Sequence, residues 1–224
     1  STVFDEPTLN GKSTLEVKTI SDWLSPNRWY EYHQEMTERR AENTGLWFVQ
    51  SDEFQSWQRE GNARLWVTGM REYASKPIFF LVDIKPSWCW QDDTGEVEVM
   101  FVFQDLASQR HRSLSINHLR GTTIAPSGHS PSKGPIVFAY CRYSDHIHSV
   151  DIMRGLVVHM LHQSSAALPL VRELYQTQRR HNTKPTLLES SHLLKKIFTI
   201  VPNTQIIIDG LDELEDRDDA GLLL

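Results

Sequence analysis

The sequence has little of three features that would assign it to a specialised class. Only two cysteines, Cys89 and Cys141, occur in 224 residues, which excludes a disulfide framework and indicates a reducing, cytoplasmic compartment. The longest apolar run, residues 78–82, is far too short to cross a bilayer, and the N-terminus lacks signal-peptide character, so no membrane partner is expected. Positive charge is also scarce: the formal net charge is −6 at pH 7, which argues against a nucleic-acid partner.

The remaining composition is that of a soluble globular protein. Hydrophobic residues make up 39% and charged residues 23% of the chain. A chain of this size can bury one good core. Because it begins without Met and stops just past a motif, we expect a fragment of a longer protein.

The first third of the chain is predicted to be helical. Residues 1–20 are polar and weakly patterned, and we predict a linker there. Residues 21–62 are predicted to form a helical preface, because Trp29, His33 and Met36 recur at helical spacing and Ser51 can cap a helix over 52–59. The third segment, 63–224, is predicted to be the main domain.

Strand-like and helix-like segments alternate in that domain. Continuous apolar runs at 65–69, 136–141 and 205–208 are typical of parallel strands buried on both faces. Amphipathic patterns at 152–161 and 187–198 lie between the later runs. This order predicts an α/β fold: a parallel sheet with flanking helices and right-handed crossovers, following the helical preface.

The last strand leads directly into an acidic turn, Asp209-Gly210-Leu211-Asp212-Glu213. In open α/β sheets, ligands bind beyond the carboxyl ends of the strands. Asp209 is therefore predicted to hold Mg²⁺, Gly210 to leave room for a phosphate, and Asp212 and Glu213 to polarise an attacking water as catalytic residues. A solvated acidic turn with no ligand is the alternative, and this motif alone does not separate the two.

The order of several segments resembles a known family. The segments are residues 44–49 with Phe54 and Trp57, then 65–69, 134–143, 151–157, 187–198 and 209–213. Over residues 21–70 and 113–215 the chain is similar to the NACHT-type, nephrocystin-like N-terminal NTPase domain of fungal NOD-like receptor (STAND) proteins. The resemblance implies a P-loop NTPase fold, Mg-ATP or Mg-GTP as cofactor, and self-association or binding to other signalling proteins.

The chain departs from that family where the phosphate-binding loop belongs. After Gly69, a remnant of the loop start, a Gly-rich turn ending Gly-Lys-Thr is implied, but the chain carries Ala74, Lys76 and Pro77 instead. Losing two charge-assisted hydrogen bonds removes ~3–6 kcal/mol, or roughly a hundred- to ten-thousand-fold in affinity. We therefore predict a degenerate, incomplete NTPase domain that is inactive and does not hold nucleotide tightly.

Residues 70–112 are interpreted as an atypical insertion in the domain 63–224. A true two-stranded insertion and a retained intron are both compatible with this stretch. Two other functions stay open for the chain: a non-enzymatic interaction fragment, and a gene-model product without a folded role.

Two further motifs, a Gly-Lys-Ser segment and a pair of histidines, do not indicate a binding site. Residues 10–14 contain Gly-Lys-Ser, but no apolar strand precedes them and the first loop glycine would fall at Glu6. His146 and His148 have strand-like spacing and could pair on a metal ion. With no acidic or Cys partner at ligand spacing beyond Asp145, a surface loop is favoured for them.

Overall fold

Among the residues that the structure describes, the elements before residue 60 are helices and the first strand begins at Arg64. The computed structural model describes residues 11–25, 29–39, 46–59, 64–68, 79–83, 97–102, 116–117 and 134–215. The helices and strands, in chain order, are α1 Gly11–Leu24, α2 Trp29–Glu38, α3 Leu46–Val49, α4 Asp52–Arg59, β1 Arg64–Thr68, β2 Phe79–Asp83, β3 Val97–Val102, β4 Ile136–Tyr140, α5 Ser149–Gln163, α6 Leu168–Arg179, α7 Leu187–Ile200 and β5 Thr204–Asp209.

Helix α1 corrects the predicted linker for residues 11–20, whereas residues 1–10 lie outside the described residues. Residues 11–20 are helical, and Val17, Ile20 and Leu24 are buried in the main core at intervals of three and four residues. Most of the residues around these positions are polar, which gives the segment the composition of a linker. Arg172 on α6 donates two hydrogen bonds to Glu16, at 2.5 and 2.7 Å, and so fixes the exposed side of α1.

The next helices agree with the pattern in the sequence. Trp29, His33 and Met36 are all buried on α2, as their spacing predicted. The backbone N–H of Phe54 donates to the Ser51 hydroxyl at 3.3 Å, so Ser51 caps α4 as predicted. The pair Ser25-Pro26 also predicts a helix start, with Ser25 as the cap, but Pro26 lies outside the described residues.

The five strands form one mixed sheet in the order β2-β1-β3-β5-β4. All neighbours are parallel except β1 and β2, which are antiparallel. The parallel arrangement was predicted, whereas the antiparallel edge strand was not. Both β2 and β3 come from the stretch 70–112, and β3 lies between β1 and the acidic strand β5. Whether that stretch is an inserted segment remains a prediction.

Strands β4 and β5 are buried in the core along their whole length. Every residue of both strands is buried, which explains their continuous apolar sequences. Helix α5 packs on β4, and α7 packs on α5. Helix α6, which the sequence pattern did not predict, contributes Leu168 and Val171 to the same core.

Helix α7 begins at Leu187, where the amphipathic pattern predicted it, with a capping box on Thr186. The Glu189 N–H donates to the Thr186 hydroxyl at 3.3 Å, and the Thr186 N–H donates to the Glu189 carboxylate at 2.8 Å. The hydrogen bonds that the Glu189 carboxylate accepts from Thr186, first of all the one from the backbone N–H, hold the pKa of Glu189 below its ordinary value. The cap therefore fixes where the last crossover helix begins before it leads to β5.

Candidate functional site

Asp209 is the last residue of strand β5, at the carboxyl end of the sheet. The residue is 1% exposed, which is unusual for a carboxylate. Its register partners are Val102 on β3 and Tyr140 on β4. The predicted position at the end of a central parallel strand is thus confirmed, while the predicted Mg²⁺ role remains a prediction.

Gly210 turns the chain sharply at the end of β5. Its backbone is left-handed, with φ 73° and ψ 34°, a conformation that glycine adopts without strain. A Cβ placed on Gly210 would lie 2.4 Å from the carbonyl oxygen of Cys141. The space next to this glycine is therefore occupied by the backbone that leaves β4. That side of Gly210 has no room for a phosphate, and a phosphate elsewhere beside Gly210 remains a prediction.

The remaining predicted site residues are only partly brought together. Residues Leu211–Glu213 form a short 3-10 turn, in which the Glu213 N–H donates to the Gly210 carbonyl at 2.8 Å. The side chain of Asp212 and the whole of Gly69 lie outside the described structure. The catalytic roles of Asp212 and Glu213 and the loop role of Gly69 stay predictions.

A buried polar network lies next to Asp209, and sequence reasoning missed it. His33 Nδ1 is 2.7 Å from the Tyr140 hydroxyl, and His33 Nε2 is 3.2 Å from Asn117 Oδ1. Asn117 Nδ2 donates to the Thr37 hydroxyl at 3.2 Å, and that hydroxyl donates to the His33 carbonyl at 2.8 Å. Four side chains from α2, β4 and the residue pair 116–117 are therefore joined at the strand end.

Aromatic side chains of α2, β4 and α5 pack against His33 of this network and against one another. The ring centroid of Phe138 on β4 lies 5.4 Å from Tyr30, 4.9 Å from His33 and 4.6 Å from His159. Tyr30 also stacks on His159 at 4.2 Å. Helices α2 and α5 thus meet over the same strand residue, which holds His33 in place.

The two candidate metal ligands, His146 and His148, lie in an exposed loop, as the sequence predicted. The side chains of His146 and His148 are 70% and 48% exposed. Both contact the carboxylate of Glu215, a partner too distant in sequence for spacing rules to find. Within the described part of the chain, no group of three or more His, Cys, Asp or Glu side chains is arranged to hold a metal ion.

The described residues do not fit a tightly held Mg-nucleotide. Mg²⁺ is usually bound through one or two carboxylates together with substrate phosphates. Asp209 is a suitable carboxylate, but the Cys141 carbonyl fills the space beside Gly210. The sequence after Gly69 also lacks the Gly-Lys-Thr that would hold the phosphates. No reaction step through a nucleotide is therefore derived for this chain.

Fold and site together define an α/β domain with a buried carboxylate at the carboxyl end of a parallel strand. A family described as nephrocystin 3, N-terminal, matches residues 106–224, which is more than half of the chain. The chain belongs to this nephrocystin 3 N-terminal family. No curated protein and no solved structure matches it. None of the helices in the described ranges is long and apolar enough to cross a membrane.

Proposed function

We propose that the chain is a degenerate P-loop NTPase-type domain of the NACHT class, which holds nucleotide weakly and does not hydrolyse it. The observation that carries the proposal is Asp209, a buried carboxylate at the end of a parallel strand. This is where an NTPase of this class needs an acid for Mg²⁺. Membership in the nephrocystin 3 N-terminal family supports the same ancestry.

The loss of nucleotide affinity follows from the phosphate loop. Backbone N–H groups at a helix N-terminus and the loop lysine supply most of the grip on phosphates. Pro77 lacks an N–H, and Ala74 stands where the second loop glycine belongs. Asp209 does not replace these contacts, because Mg²⁺ is itself held largely by the triphosphate.

The role that remains for such a domain is contact with proteins. We propose a cytosolic STAND-type domain that acts by self-association or by binding other signalling proteins, without nucleotide exchange. Light scattering across a concentration series tests the first form: a concentration-dependent rise in mass supports self-association. A constant monomer mass would instead restrict the proposal to other proteins.

Isothermal titration calorimetry with Mg-ATP and Mg-GTP tests the nucleotide part. We expect no heat of binding up to millimolar nucleotide. Saturable binding with a Kd well below a millimolar would contradict the proposal. Heats of nucleotide dilution into buffer are the matched control.

Thermal unfolding tests the competing view that the chain has no folded role. A single core joins buried apolar side chains from each of the helices α1 to α7 and from strands β1, β4 and β5. We therefore expect one cooperative transition in circular dichroism. A gradual, featureless melt would favour the gene-model product.

A further inference from the structure

The carboxyl end of the sheet is tied together by side chains of the chain itself. In an NTPase with an intact loop, phosphates and Mg²⁺ bridge the elements at this edge. In this chain, side chains bridge these elements instead: Thr37 and His33 of α2, Tyr140 of β4, and Asn117 of the residue pair 116–117. We call this set of four residues the strand-end lock.

The hydrogen bonds of the lock have a consistent direction when the His33 imidazole is neutral. Asn117 uses its amide N–H to donate to Thr37, so its Oδ1 faces His33 as an acceptor. His33 Nε2 must therefore carry the proton. In a neutral imidazole the other nitrogen is then an acceptor, and the Tyr140 hydroxyl donates to Nδ1. Every contact in the lock thus pairs a donor with an acceptor.

The lock lies beside the candidate site. Tyr140 and Asp209 are register partners on adjacent parallel strands, so their side chains leave the sheet on the same face. His33 is 5% exposed and Tyr140 is 2% exposed, so the contacts between them are shielded from water. Hydrogen bonds in such surroundings are costly to break, because the separated groups stay buried.

We propose that the strand-end lock orders the carboxyl end of the sheet without any ligand, by fastening helix α2 over strand β4 next to Asp209. The proposal deepens the proposed function, because it states how a domain that does not hold nucleotide keeps this edge closed. It predicts that the position of α2 depends on the lock and not on Mg-ATP.

Hydrogen exchange of the α2 amides in the full chain tests the proposal. Tyr140→Phe removes one hydroxyl and leaves His33 Nδ1 without its donor. We expect exchange over residues 29–38 to accelerate roughly 5- to 140-fold. Tyr175→Phe on α6 is the matched control, because it removes the same atom from a tyrosine that packs on Trp23 and Arg179, outside the lock, and we expect less than a twofold change.

Thr37→Val provides a second, nearly isosteric variant in case Tyr140→Phe does not fold. It removes the hydroxyl that joins Asn117 to the His33 carbonyl, and it should accelerate exchange in the same residues. Exchange in α2 that stays within twofold of wild type in both variants would overturn the lock.

Adding millimolar Mg-ATP separates this proposal from the proposed function. If α2 exchange in the wild type is unchanged, the lock acts without ligand, as proposed. If Mg-ATP slows it severalfold, the ordering depends on ligand and the proposal is overturned. Calorimetric binding of Mg-ATP with no effect on α2 would contradict the proposed function alone and leave the lock supported.

Discussion

Gly210→Ala is the substitution whose effect on stability follows most directly from the geometry. Alanine at φ 73° adopts the left-handed conformation, which costs about 1–2 kcal/mol. The new Cβ would also lie 2.4 Å from the Cys141 carbonyl oxygen. Relieving that overlap requires a backbone shift that costs about 1–3 kcal/mol. The more restricted unfolded chain offsets about 1 kcal/mol of this cost, so the net loss is ~1–4 kcal/mol.

The overlap also affects the pairing of the two strands. The Cys141 N–H donates to the Asp209 carbonyl at 2.7 Å, and moving Cys141 stretches this bond. For a chain of this size, the net loss corresponds to a Tm lower by roughly 2–16 °C. Urea unfolding followed by circular dichroism measures the free energy directly.

Gly134→Ala is the matched comparison for this substitution. Its Cβ would lie 2.3 Å from the Asn203 carbonyl oxygen, a similar overlap, but Gly134 is not left-handed. Gly210→Ala should therefore be the more destabilising change by about 1–2 kcal/mol. A loss below about 0.5 kcal/mol at Gly210 would refute the reasoning about this turn.

Three further predictions concern the site and the helices. Asp209→Ala should leave the calorimetric titration with Mg-ATP unchanged, and any loss of nucleotide binding in this variant would contradict the degenerate site. Thr186→Ala removes the capping box of α7 and should cost about 0.5–2 kcal/mol in urea unfolding, with Glu189→Gln as a milder companion. The hydrogen bond from Arg172, the main cause, holds the pKa of Glu16 below its ordinary 4.5. The contribution of this exposed pair, at most ~1 kcal/mol, is therefore present above pH 4.5 and lost as the pH falls below it. Unfolding of Glu16→Gln should thus show a flatter dependence between about pH 5 and pH 3, and an unchanged profile would argue against the pair.

Local signals in the sequence were sufficient for the elements whose boundaries they mark. Ser51 caps α4 where predicted, and the buried strands β4 and β5 have no polar side facing solvent to break their apolar runs. Helix α1 was missed because its buried apolar side chains are few, Val17, Ile20 and Leu24, with mostly polar residues between them and an exposed Leu15 before them. Composition over a window hides such a narrow apolar stripe.

The polar network could not be predicted because its partners are distant in sequence. His33 meets Asn117 across 84 positions and Tyr140 across 107. A histidine on the otherwise apolar stripe of Trp29 and Met36 signals that a buried partner must exist. The sequence does not identify that partner, because it depends on which strand α2 covers.

The space beside Gly210 shows the same limit at the candidate site. The motif correctly placed Asp209 at the end of a buried strand, since an apolar run followed by an acidic turn is a local signal. The occupant of the adjacent space, the Cys141 carbonyl, comes from the neighbouring strand. Only the register of β4 against β5 reveals it.

The central claim is that the altered phosphate loop, and not the acidic strand, removes nucleotide binding. Its most direct test is calorimetric titration of Mg-ATP into two chains side by side: the wild type, and a chain whose residues 70–112 are replaced by a Gly-rich loop ending Gly-Lys-Thr that leads directly into residue 113. We expect the replaced loop to raise the affinity for Mg-ATP roughly a hundred- to ten-thousand-fold. Equal affinities in the two folded chains would contradict it.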